Sequence, residues 1–278
     1  MRAFSGRAPR SHKVGDERER VVAANREGWN EAAPKHAERN LERLLAEFAE
    51  PGHSCLDEVE TARLLDLGVV GRDVAQLCCN NGIELVSVKN LGAARCVGFD
   101  NADMFLEQAR AIAATAGVEV EFHHGDIHEI PARYDAGFNI LYVTVGALCW
   151  MPKLVDFFAV AARLLRPGGA VLVYEQHPVL AMWDPFDDVD PPLWKHSYFK
   201  QDPWIDTDGL DYFDGESYQS KPLYTFQHTL SEILMACIDN RLAIEHFEEF
   251  PHDLTPSYGH LERLEAKLPL SYTLVARN

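Results

Sequence analysis

A chain of 278 residues with 47% hydrophobic side chains is long enough to bury a full core, as one large domain or two small ones. Its 26 lysines and arginines face 43 aspartates and glutamates, and the net charge of −17 repels phosphate backbones and anionic lipid, so neither nucleic acid nor a membrane is an expected partner. The six cysteines form no CxxC pair, which argues against a zinc knuckle and a disulfide framework and favours a reducing compartment.

Residues 1–18 carry Arg2, Arg7, Arg10, Lys13 and Arg18 among Gly, Ser and Pro and read as a flexible leader without the apolar stretch of a signal peptide. No apolar run approaches the roughly 20 residues of a membrane span, so the expected location is cytoplasmic. Residues 19–66 read as an N-terminal helical cap. A helix carries Val21, Val22 and Trp29 and is expected to break or kink at Pro34. A second amphipathic run follows with Leu41, Leu44, Leu45 and Phe48, ending before Pro51-Gly52.

From 67 onward short apolar strands alternate with helical runs. Strands are expected at 74–77, 95–99, 118–123, 138–143 and 170–174, with helices at 83–90, 102–116 and 155–165 between them. A helix at 230–240 and strands at 242–249 and 270–276 close the chain. Such alternation predicts an α/β fold, a doubly wound and mostly parallel sheet covered on both faces. The stretch 176–223 breaks the rhythm: it is rich in aromatic, Asp and Pro residues, among them Trp183, His196, Tyr198, Trp204, Tyr212, Phe213 and Tyr218, and suits a lid over a small ligand.

In doubly wound sheets ligands bind at the carboxyl end of the first strand. Here that strand ends in Leu77 and a turn, Cys78-Cys79-Asn80-Asn81-Gly82, leads into a helix whose free amides face the site. Asp100 lies 20 residues after Asn80, close to the separation at which an acid accepts ribose hydroxyls. By itself the turn is a weak signal, since only Gly82 remains where a dinucleotide fold places several glycines. Gly125-Asp126-Ile127, Tyr142-Val143-Thr144 and Pro167-Gly168-Gly169, each at a strand boundary, complete an ordered set.

With these motifs the chain resembles the class I S-adenosylmethionine-dependent methyltransferases over about residues 21–278, and within them the small-molecule enzymes that open on Trp-Asn-Glu-x-Ala-Pro-x-His, as at 29–36. Gly146-Ala147-Leu148-Cys149-Trp150-Met151-Pro152, Glu175-Gln176-His177-Pro178, the segment 224–233 and Leu268-Pro269-Leu270-Ser271-Tyr272 follow in the same order. The resemblance implies a seven-stranded Rossmann-like methyltransferase sheet at 67–278 with the lid as an insertion, and S-adenosyl-L-methionine as cofactor, leaving S-adenosyl-L-homocysteine. It places Cys78, Cys79, Asn80 and Gly82 around the methionine part, Asp100 and Asn101 on the ribose, and Asp126 and Ile127 on the adenine. Val143 and Thr144 fall beneath the sulfonium, with Trp29 and His36 closing over the cofactor. The chain departs from the family at Gln76, where an acid is usual, and at Cys78 and Asn80, where glycines are usual, which leaves the methionine end less defined than the adenosine end. Asn139 likewise stands where an Asp is common.

Methyl transfer is an in-line displacement, so positioning supplies much of the rate, and a base is needed where the acceptor holds its proton. Glu175 is the first candidate base, with His177 beside it; each has the alternative of a structural hydrogen bond. Trp150, Trp183, Tyr198 and His228 are candidate contacts to a small organic acceptor methylated on nitrogen, oxygen or activated carbon. The run His123-His124-Gly125-Asp126-Ile127-His128 invites a metal, but adjacent strand residues point to opposite faces and Asp126 already has a role, so none is expected. Two other classes compete: a nicotinamide-dependent oxidoreductase, disfavoured because a pyrophosphate wants a glycine-rich turn, and a non-catalytic cofactor-binding regulator. A homodimer is compatible with all three.

Overall fold

The computed structural model describes residues 12–187, 189, 191–210 and 218–278. Residues 1–11 of the expected leader, and Tyr212 and Phe213 of the expected lid, lie outside these. Helix α1 spans His12–Phe48 as one element with Pro34 inside it, which corrects the expected break and carries the helix into the stretch read as leader. A proline in a helix interior costs about 3 kcal/mol, and here packing opposes that cost. Ala32, Ala33 and His36, either side of the proline, are buried, and the Gln108 side chain donates to the Ala33 carbonyl at 2.9 Å.

Helix α2, Glu58–Asp66, is a separate element that apolar spacing did not reveal. It is started by a capping box in which Asp57 accepts from the Glu60 amide and Glu60 reaches back to that of Asp57. Strands β1 (Asp73–Leu77), β2 (Arg95–Asp100), β3 (Glu121–His124) and β4 (Phe138–Val143) alternate with helices α3 (Ile83–Asn90), α4 (Asp103–Thr115) and α5 (Leu154–Leu164) much as the hydrophobic pattern requires. Strand β5, Leu165–Gln176, starts five residues before the expected strand. It runs through Pro167-Gly168-Gly169, where the pairing with β4 shifts register between Phe138 and Ile140, so the proline sits at an irregularity where a missing amide does no harm.

Inside the insertion two short strands, β6 (Trp204–Asp206) and β7 (Leu223–Thr225), pair antiparallel. The chain then returns through α6 (Leu230–Asp239) and β8 (Ala243–Phe250) and, after a short helix α7 (Gly259–Glu262), ends in β9 (Ser271–Arg277). The main sheet has seven strands in the order β3-β2-β1-β4-β5-β9-β8. β1 to β5 pair in parallel, and β9 is inserted antiparallel between β5 and β8. The order reverses between β1 and β4, so the crevice of a doubly wound sheet opens at the carboxyl ends of β1, β2 and β4.

Both faces are covered, as a parallel sheet requires. Leu154, Phe157, Phe158, Ala161 and Leu164 recur at helical spacing and lay α5, with Ile233 and Cys237 of α6, on Leu77, Phe99, Leu141 and Val173. The opposite face takes α2 and α3 over Val74, Ile140, Tyr142 and Leu172, and Leu44 and Phe48 of α1 meet Val86 of α3 and Ile112 of α4. Helix α1 is pinned at its middle by polar contacts. Asn30 donates to Asp103 at 2.6 Å and accepts from the Met104 amide at 3.3 Å, which caps α4 from outside. Asn25 makes a paired bond to the backbone of Tyr224 in β7. Among the described residues no helix is long and apolar enough to cross a membrane.

Candidate active site

The turn after β1 adopts the backbone of a glycine-rich loop with almost no glycine. Cys78 and Asn80 have φ of 57° and 49°, and Gly82 has 71°. Asparagine tolerates the left-handed region because its short side chain bonds locally, and Asn80 Oδ1 accepts from the Asn81 amide at 2.7 Å. Cys78 has no such compensation, and strain of this kind gathers at ligand sites. The turn is tied to β2 by the Cys79 amide on the Phe99 carbonyl at 3.1 Å and lies so close that a Cβ on Gly98 meets Cys79 Sγ at 2.7 Å. Gly82 is as crowded and also left-handed: a Cβ there sits 2.7 Å from the Phe122 ring and 3.1 Å from Ala109. Gly82→Ala adds left-handed strain to overpacking and is expected to cost about 3 kcal/mol of stability, read as a lower urea midpoint at unchanged slope.

Asp100 holds this turn. Its Oδ2 accepts from the Asn80 amide and its Oδ1 from the Ala102 amide, both at 2.8 Å. Burial raises its pKa and these amides oppose the rise. Two carboxylate oxygens, each with a lone pair to spare, at the mouth of the crevice fit a ribose diol. Asn101 beside it is turned the other way, donating to the Val22 carbonyl of α1 at 3.2 Å. After β3, Asp126 accepts from the backbone and ring of His128 at 2.9 and 2.8 Å. Burial opposes its ionisation, yet these bonds hold its carboxyl below the ordinary range. Ile127 is buried in the core cluster next to it. His123 packs edge-on against Phe99 while His124 reaches the Asn101 carbonyl, so the adjacent histidines diverge. Among the described residues no three His, Cys, Asp or Glu side chains are grouped to hold a metal.

Val143 is fully buried among the residues beneath α5, which places its side chain in the core. Thr144 directly follows β4 and receives the Gln76 amide at 3.0 Å. Over the crevice, Trp29 of α1 meets Trp150 edge-on at 5.1 Å, Phe105 of α4 at 5.6 Å and His36 at 6.5 Å. His36 in turn contacts the Leu210 carbonyl at 2.7 Å. This aromatic wall joins α1, α4, the turn after β4 and the insertion, the elements that must close together if water is to be kept out.

Glu175 lies under that turn. Its Oε1 accepts from the Gly146 and Gln176 amides at 2.7 and 2.9 Å, and its Oε2 from Leu148 at 3.4 Å. Burial pushes its pKa up to about 7 against those amides. His177 takes a structural part. Its Nδ1 accepts from the Val179 amide at 3.1 Å, and Nε2 lies 3.0 Å from Glu249 Oε1 on β8 in poor alignment for a hydrogen bond. The two candidates therefore point apart: residues two apart on a pleated strand would share a face, but β5 ends at Gln176 and His177 already caps the turn that follows.

The four candidate acceptor contacts also separate. Trp150 is in the aromatic wall; His228 faces the Met151 carbonyl at 2.8 Å and supports the same turn. Tyr198 caps α6, accepting from the Leu230 amide at 2.8 Å. Trp183 is buried with Leu180, Leu261 and Leu270 in a satellite core at the far side of the insertion. One residue that the motifs do not single out belongs to the site: Asn25 ties the insertion to α1.

Residues 74–169 match the family described as a methyltransferase domain. A 24-methylenesterol C-methyltransferase of Oryza sativa subsp. japonica is 29% identical over 147 residues, 52% of this chain and 34% of that protein. The chain spans about a third of the length of the curated relatives it matches. Among solved structures, an S-adenosylmethionine-dependent methyltransferase from Mesorhizobium loti superposes with a TM-score of 0.58 at 21% identity, covering 78% of this chain and 96% of that one. The geranyl diphosphate C-methyltransferase of Streptomyces coelicolor A3(2) superposes with a TM-score of 0.53 at 14% identity, covering 79% and 78%. At these identities the structural likeness establishes the fold.

Proposed function

We propose that this chain, which carries a methyltransferase domain of the class I, S-adenosylmethionine-dependent kind, transfers a methyl group to a small organic acceptor. The observation that carries the reading is the Asp100 carboxylate clasping the left-handed turn 78–82 at the switch point of the sheet. When bound, S-adenosylmethionine supplies an electrophilic methyl carbon on a sulfonium. Asp100 takes the ribose hydroxyls, the turn 78–82 wraps the methionine part, and Asp126 and Ile127 border the adenine. Trp29 and Trp150 close the crevice and exclude water, which leaves the acceptor's nucleophile to be aligned by contact with the aromatic wall.

The acceptor's proton goes to Glu175, whose pKa of about 7 matches that task near neutral pH. The acceptor is not a diphosphate in this reading. In the described part of the insertion Lys195 is held by Asp184 and Asp187 at 2.9 and 2.8 Å, and Lys200 is turned to the Asp202 and Pro203 carbonyls. Calorimetry with S-adenosylmethionine and S-adenosylhomocysteine tests the proposal: micromolar binding of both is expected, and no heat at millimolar ligand overturns it.

A further inference from the structure

We propose that Gln227 and Tyr272 form the polar end of the acceptor site, and that the acceptor is an uncharged molecule carrying both a hydrogen-bond donor and a hydrogen-bond acceptor, such as a carboxamide or a hydroxyl group. The inference deepens the function proposed above and rests on it. Gln227 lies between β7 and α6, and both its neighbours are tied to the turn that carries Trp150 and covers Glu175. The Phe226 amide donates to the Cys149 carbonyl at 2.7 Å, and the His228 ring meets the Met151 carbonyl at 2.8 Å. The Gln227 side-chain nitrogen donates to the Tyr198 carbonyl at 2.7 Å. That bond fixes which way the side chain faces, because a flipped amide sets two carbonyl oxygens against each other. The oxygen left over is buried and has no donor among the described residues.

Tyr272 reaches the same turn from the sheet. It is the direct partner of Glu175 across β5 and β9, and residues opposite each other on antiparallel strands share a face. The Gly146 and Leu148 amides close the turn over that face by bonding to Glu175. Tyr272 is fully buried with its ring stacked on Phe247 at 5.5 Å, and its hydroxyl has no partner among the described residues either. Burial and, after it, the Glu175 carboxylate keep the phenol well above the ordinary tyrosine range, so it remains a donor. An unpaired acceptor and an unpaired donor are costly to enclose, and a group that offers the converse pair relieves both. A carboxylate or phosphate does not, because it brings no hydrogen for Gln227 and is repelled by Glu175.

Titration of the S-adenosylhomocysteine-loaded protein with benzamide, acetophenone and benzoate, followed by ligand-observed NMR, separates the outcomes. The three probes share a shape, but only benzamide carries N–H donors and only benzoate is charged. The wild type is expected to bind benzamide about tenfold tighter than acetophenone and to reject benzoate. Gln227→Leu brings benzamide down to the level of acetophenone. Tyr272→Phe weakens both by about fivefold without lowering the urea midpoint, since it removes a hydroxyl that the protein itself does not pair. Both variants keep their affinity for S-adenosylhomocysteine within about twofold of the wild type. Equal affinities of the three probes for the wild type, or no binding of any at about 10 mM, overturn the assignment and leave the methyltransferase reading intact. A lowered urea midpoint in Tyr272→Phe with unchanged probe affinities also overturns it, by showing a hydroxyl held by an ordered water only. Absence of S-adenosylhomocysteine binding to the wild type overturns the function itself.

Discussion

Asp100→Ala is expected to weaken S-adenosylhomocysteine binding by about a hundredfold, against less than about tenfold for Gln76→Ala. The difference follows from what each side chain holds. Asp100 anchors the Asn80 amide and the Ala102 amide at 2.8 Å each, so its loss removes the acceptor for a ribose diol and also frees a turn whose Cys78 and Asn80 sit at positive φ. Hydrogen bonds to a charged group contribute about 1.5–3 kcal/mol each, and two ribose hydroxyls bring the loss into the hundredfold range. Gln76 is fully buried and bonded to Thr144, so its truncation acts on binding only indirectly, through the packing beneath the turn. The main loss in that variant is in stability, because Thr144 is left without its donor. Affinity for 5′-methylthioadenosine, which keeps the ribose, falls with Asp100→Ala as well. Equal losses for the two variants, or a larger one for Gln76→Ala, mean that Asp100 does not hold the ribose.

The hydrophobic rhythm made most of the sheet legible. Strand β4 and helix α3 fall on the expected residues, because a run such as Phe138–Val143 buried on both faces has one reading once helices flank it. Helix α1 does not break at Pro34, since a local breaker signal says nothing about Gln108 and the packing of Ala32 and Ala33. Helix α2 is marked in the sequence only by its capping box, Asp57-x-x-Glu60, because the apolar residues behind it are few. Strands β6 and β7 pair across a long insertion, and no local periodicity announces such a pairing. At the site, Asp100 could be placed by its distance from the turn. The duties of Glu175 and His177 could not, because they depend on which backbone amides the fold brings to the end of β5.

Glu175→Gln is expected to flatten a pH dependence of stability and to cut turnover. The folded pKa of Glu175 is about 7, above its ordinary 4.5, because burial disfavours the charge. Between those values the folded state binds more protons than the unfolded one, so stability falls as pH rises. The contribution is fully present below about pH 4.5 and lost once pH passes about 7, an effect of about 3 kcal/mol. Glutamine keeps an oxygen for the Gly146 and Gln176 amides and carries no charge, so urea midpoints at pH 5 and pH 8 draw together in the variant. Glu60, which burial also raises to about 7 against its bond from Tyr142, supplies a second component of the same sign, and Glu60→Gln removes that one separately. Turnover tells anchor from base. As base, Glu175 contributes about a hundredfold or more to kcat, and the acid limb of the rate profile near pH 7 disappears with it. A variant with the flattened stability profile and wild-type kcat assigns Glu175 solely to holding the turn that carries Trp150, and the acceptor is then one that surrenders its proton to water or has none to lose.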